Sequence, residues 1–210
     1  MPIVRGYVND KYKSQIRICF LGESFVNGTG DPEYLGWTGR ICVNAHKKGY
    51  DITYYNLGVR RETSTELRQR WLNEASYRLP QEYDGRVVFS CGVNDTSMEN
   101  GKTRVEITQS LANIHSILSE AKNLYPVLMV SPPPCGDEEQ NQRIDDLAQE
   151  FALVCHELNV PYLNVFSKLK QSKVWLEEAR NYDGAHPRSA GYAEFAQLVE
   201  HWDAWQNWLR

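Results

Sequence analysis

Five short apolar runs, separated by stretches with helical periodicity, limit most tightly what this chain can fold into. The runs cover residues 16–21, 51–56, 86–91, 125–130 and 161–166. The first stops at Gly22 and the fourth at Pro132-Pro133-Pro134. Runs of this length, bounded by turn-forming residues, read as buried strands. Between them lie helical stripes such as Ile107, Leu111, Ile114, Leu118 and Ala121, or Ile144, Leu147, Phe151, Cys155 and Leu158, whose spacings put each set on one helix face. Further helices are expected over 37–48, ending at Gly49 as a left-handed cap, and over 64–79, with Ser64 as N-cap and Pro80 as the stop. A last helix should start near Pro187 and run through Tyr192, Phe195, Val199 and Trp202. Strand and helix alternate without repeat or linker. That predicts an α/β fold: a three-layer α/β/α sandwich around a mostly parallel five-stranded sheet of flavodoxin-like type. Residues 16–210 are expected to form a single domain behind a loose polar arm over 1–15. Ligands of such sheets sit beyond the carboxyl ends of the strands.

Composition excludes several classes. At 210 residues the chain can bury a full core. Its net charge of -4, with only short basic clusters such as Lys47-Lys48, argues against nucleic-acid binding. The five cysteines are odd in number and contain no Cys-x-x-Cys pair, which fits a reducing compartment. Cys135, just after the proline run, is the candidate for an exposed thiol. No stretch has the form of a signal peptide or the length of a membrane span, so a cytoplasmic protein without membrane insertion is expected. The histidines are scattered without paired ligand spacing, and no catalytic metal is expected. Neither Gly-x-Gly-x-x-Gly after the first strand nor the phosphate-loop pattern occurs, so no nucleotide cofactor is expected. Trp202, Trp205 and Trp208 suit core packing or a subunit contact, and the oligomeric state stays open.

Four separated segments carry the chemistry. Gly22-Glu23-Ser24, Asn56-Leu57-Gly58 and Gly92-Val93-Asn94-Asp95 follow the first three strands, and Asp183-Gly184-Ala185-His186-Pro187 precedes the last helix. Ser24 offers a nucleophile once a base takes its proton. Asp183 and His186, three apart, can place a carboxylate under one ring nitrogen and leave the other free as that base. Gly58 N–H and the Asn94 side-chain amide offer donors to a developing oxyanion. Taken singly, each is also what an ordinary loop contains: a turn serine, an Asp-Gly turn, a glycine or asparagine after a strand. Their conjunction at one sheet edge is the signal. Arg60 and Arg61 follow Gly58 closely and could meet an anionic substrate, although solvated or ion-paired arginines are the commoner case.

These four blocks, in this order and spanning about residues 16–200, resemble the SGNH (GDSL-like) hydrolases. The resemblance implies a lipase- or esterase-type enzyme acting on small-molecule carboxylic esters. It implies Ser24 as nucleophile, His186 as base, Asp183 as its partner, and an oxyanion hole of Ser24 N–H, Gly58 N–H and Asn94. The chain departs from the family pattern at Glu23, where aspartate is usual. The extra methylene makes a second reading available, a binding module that keeps the site and has lost turnover. A flavodoxin-like nucleotide binder is a third.

Overall fold

The computed structural model describes residues 15–209. The expected arm lies outside the described residues except Gln15, which opens β1 (Gln15–Gly22). Then follow α1 (Ser24–Asn27), α2 (Gly36–Lys47), β2 (Asp51–Gly58), α3 (Ser64–Arg78) and β3 (Asp84–Ser90). A small antiparallel hairpin of β4 (Met98–Glu99) and β5 (Lys102–Thr103) precedes α4 (Ile107–Leu124), β6 (Val127–Val130), α5 (Glu138–Leu158) and β7 (Tyr162–Leu163). Four helices close the chain: α6 (Phe166–Gln171), α7 (Lys173–Tyr182), α8 (Ser189–Glu200) and α9 (Asp203–Trp208). The main sheet has the order β2-β1-β3-β6-β7, and every pair in it is parallel.

Alternation along the strands makes the layers. In β1, Ile16, Ile18 and Phe20 face one core, and Cys19 and Leu21 face the other. β3 and β6 divide the same way, with Val88, Leu128 and Val130 on the first side and Val87, Phe89, Val127 and Met129 on the second. The first core is covered mainly by α2, α7, α8 and α9, through Trp37, Trp175, Phe195 and Trp205. The second is covered by α3, α4 and α5, through Trp71, Ile117 and Phe151. Strands buried on both faces are nearly continuous apolar runs, broken in β1 by Arg17, which is why they stand out in the sequence.

The topology also locates a crevice. The chain leaves β1 for β2 on one side, then returns past β1 to β3 on the other. The switch point therefore lies between β1 and β3. Parallel register sets Gly22 level with both Gly58 and Ser90. The three loops that carry the chemical segments thus leave the sheet from one row.

Several expectations are corrected. The expected strand over 161–166 shrinks to Tyr162–Leu163 because Phe166 begins a helix. The cap of α3 is Thr63 rather than Ser64, and Thr63 N–H donates to Glu66 Oε2 at 2.7 Å. The last helix breaks before Trp202, and a separate short helix carries Trp205 into the core. Cys135 is buried instead of exposed, because Asn141 clamps its backbone N–H and C=O from α5. Burial pushes its thiol pKa up, away from the reactive thiolate. Among the described residues no helix is long and apolar enough to cross a membrane.

Candidate active site

Gly22 ends β1 where no side chain fits: a Cβ there would lie 1.8 Å from the Ser90 carbonyl oxygen. The chain can therefore turn tightly against β3, and Ser24 begins α1 two residues later. At the other end of the sequence, Asp183 Oδ1 accepts the N–H groups of Ala185 and His186 at 3.0 and 2.8 Å. That short turn aims the imidazole back at the sheet edge. His186 Nε2 lies 2.7 Å from Ser24 Oγ, and His186 Nδ1 lies 2.7 Å from Asp183 Oδ2. Three groups separated by 162 and 3 positions are thus joined in series.

The surroundings tune the imidazole. Phe25 packs on it with ring centroids 4.7 Å apart, and His186 is buried. Burial lowers its pKa below the ordinary histidine value, against the opposing pull of Asp183 and with help from the positive charge of Arg60. Asp183 is drawn below the ordinary carboxylate range: burial opposes this, and the N–H groups of His186 and Ala185 with the imidazole overcome it.

Glu23 does not drift away from the site. It is buried, and its Oε1 accepts Val93 N–H at 3.0 Å while Oε2 accepts Asn94 N–H at 3.0 Å and Asn94 Nδ2 at 2.5 Å. Burial pushes its pKa up to about 8, against those three donors. The longer side chain thus ties the serine turn to the loop after β3. The second hydrogen of Asn94 Nδ2 goes to the Glu62 carbonyl at 3.0 Å.

The structure does not leave Gly58 N–H free, as its sequence position suggests. Asn56 Oδ1 accepts it at 3.0 Å, while Asn56 Nδ2 donates to Val26 O and Tyr54 Oη, both at 2.9 Å. Gly58 is glycine for packing, because a Cβ would sit 2.2 Å from Asn27 N and 2.8 Å from Glu23 O. Gly58→Ala is expected to push α1 off the sheet, lowering stability by about 2 kcal/mol or more and displacing Ser24. Thermal unfolding and ester turnover measured on one preparation check both effects.

Three supports gave no sequence signal as single residues. Arg70 of α3 binds Glu62 and donates to Leu57 O at 2.8 Å and Gly22 O at 3.3 Å, fixing the loop after β2 to the strand ends. Asp31 binds Arg40, accepts Gly36 N–H at 2.8 Å and Ser189 Oγ at 3.0 Å, and so joins the serine loop to α8. Glu178 accepts Arg188 N–H at 2.8 Å and Gly191 N–H at 2.7 Å just beyond His186. Arg61 has a left-handed backbone, φ 65°, and pairs with Glu99 at 3.1 Å. Among the described residues, no acceptor meets the N–H of Ser24 or of Arg61.

A hydroxyl, an imidazole and a carboxylate thus stand in line at the carboxyl edge of a parallel sheet. Residues 20–194 match the model of the GDSL-like Lipase/Acylhydrolase family, and the chain belongs to that family. It is an ester-hydrolysing enzyme. No functionally curated protein matches it by sequence. Among solved structures it is similar to the lipase/acylhydrolase from Enterococcus faecalis, at 19% identity, 88% of this chain and 93% of that one covered, and TM-score 0.70. It is also similar to Axe2, an acetylxylan esterase from Geobacillus stearothermophilus, at 18% identity, 90% and 94% covered, and TM-score 0.71. A third is LAE5, an alpha/beta hydrolase enzyme from the metagenome of Lake Arreo, Spain, at 14% identity, 89% and 94% covered, and TM-score 0.72. At these identities the structures speak to the fold alone.

Proposed function

We propose that the enzyme hydrolyses carboxylic esters through an acyl-enzyme on Ser24, with His186 as general base and Asp183 as its orienting partner. The observation that carries this reading is the pair of 2.7 Å contacts linking the three side chains. Ser24 Oγ attacks the acyl carbon as His186 Nε2 takes its proton. Asp183 stabilises the imidazolium, which then protonates the departing alkoxide. Water attacks the acyl-Ser24 ester, giving its proton to Nε2. The proton passes to Ser24 Oγ as the carboxylic acid leaves.

The oxyanion is met by Ser24 N–H and by Asn94 Nδ2, on which it takes the place of Glu23 Oε2, one acceptor exchanged for another. Arg61 N–H is the third donor. It lies one residue before Glu62, whose carbonyl touches the Asn94 side chain, and its left-handed backbone is the kind of strain kept at functional sites. Gly58, whose N–H serves Asn56, stays a packing residue.

A second reading, a binding module without turnover, would draw on the occupied Asn94 and Gly58 donors. A fluorophosphonate separates the two. Stoichiometric labelling of Ser24, lost in His186→Ala, supports the enzyme; folded protein that stays unlabelled supports the module. The labelling rate should be flat near neutral pH. Since only neutral imidazole accepts the proton, the rate should fall on acidification, with a midpoint below the ordinary histidine value. A midpoint above that value would contradict the burial of the base.

A further inference from the structure

Among the described residues, two arginines near the site have no ion-pair partner. Arg60 lies just past β2, and Arg188 two residues past His186; both are exposed. Among the described residues no carboxylate pairs with either guanidinium, whereas the neighbouring Arg40, Arg61 and Arg70 are held by Asp31, Glu99 and Glu62. Arg60 and Arg188 line one open cavity of ≈ 660 Å³, together with Asn27, Asp31, Tyr34 and Tyr182. Asn27 ends the helix that Ser24 begins, and Tyr182 directly precedes Asp183, so the cavity borders the segments that carry the hydroxyl and the carboxylate. Arg188 rests over the Tyr182 ring, 5.3 Å from its centroid. The one acid of the lining, Asp31, has both oxygens taken by Arg40, Ser189 Oγ and backbone N–H groups. A chain of net charge -4 thus presents two positive charges without ion pairs in a cavity that borders the segment carrying its nucleophile.

We infer that this cavity is an anion-binding subsite, and that the preferred ester carries a carboxylate or phosphate beside the scissile bond, held between Arg60 and Arg188. The inference rests on the Ser24 ester-hydrolase reading. A guanidinium without an internal partner gives a bound anion charge-assisted, two-pronged hydrogen bonds, and gives up no existing ion pair to do so. Arg60 also acts on the charge of His186, so an anion seated on it lies close to the relay.

Matched substrate pairs test it. For the acyl side, p-nitrophenyl hemisuccinate is compared with p-nitrophenyl butyrate. For the leaving-group side, para-acetoxybenzoate and para-acetoxyphenyl phosphate are compared with para-acetoxybenzamide. In at least one pair kcat/KM should favour the anionic member by about 10-fold or more at low salt, and the preference should shrink in high salt. Arg60→Gln with Arg188→Gln should bring that ratio toward unity, while Arg60→Lys with Arg188→Lys should keep part of it. The ratio is the readout because both members use the same imidazole, so any change at His186 cancels. Ratios at or below one in every pair, or a preference that survives both glutamines, would overturn the subsite. Binding of hemisuccinate and phenyl phosphate to Ser24→Ala protein, followed by calorimetry, reads the subsite without turnover. If anions bind through the two arginines and no ester is cleaved, the hydrolase reading fails and the subsite stands; if neutral esters are cleaved and anions bind nowhere, the reverse holds.

Discussion

Ser24→Ala protein is expected to fold normally and to lose ester turnover by as much as ~10⁶-fold. Among the described residues, Ser24 Oγ is the only hydrogen-bond partner of His186 Nε2, so its removal leaves the base with nothing to activate. The fold loses one hydrogen bond at the first residue of a four-residue helix, where alanine is well tolerated, and stability should change by only about 1 kcal/mol. Loss of function with retained stability is the discriminating pair. Near-normal hydrolysis by Ser24→Ala, free of contaminating esterase, would remove the mechanism. Equal loss of activity and thermal stability would instead give the hydroxyl a structural role.

The layers were readable because the middles of doubly buried strands are apolar on both faces: Ile18, Phe20 and Leu21 are all fully buried. Ends were less readable. Among the described residues Tyr162–Leu163 pairs only with β6, and pairing length depends on a neighbour far away in sequence. Asn100-Gly101 does mark the β4–β5 turn, with positive φ at both residues, but two-residue strands carry no alternation to announce them. The hydroxyl, imidazole and carboxylate were legible because reactive types at strand ends are rare in combination. The hole was not. Whether an N–H is free depends on which side chain reaches it, and Asn56 reaching Gly58 is a rotamer outcome. The same applies to Glu23, whose extra methylene spans from β1 to the loop after β3. Cys135 misled because a proline run suggests exposure, while its burial comes from α5 folding over it.

Asp183→Asn is expected to cut turnover ~10⁴-fold, and to do so through the proton rather than the fold. Asparagine keeps an oxygen able to hold the Ala185 and His186 N–H groups, so the turn that aims the imidazole survives. What changes is the atom facing Nδ1. Asp183 Oδ2 can only accept, which puts the imidazole proton on Nδ1 and leaves Nε2 bare toward Ser24. An amide nitrogen there donates instead, so the proton moves to Nε2 and the base presents a donor to the hydroxyl it must deprotonate. Loss of the carboxylate charge also removes the pull that raises the His186 pKa against burial. The acid limb of the residual activity should therefore move to lower pH than in the unsubstituted enzyme, a displacement that a merely structural role would not produce. Retained activity with an unshifted acid limb would show that Asp183 does no more than shape the turn.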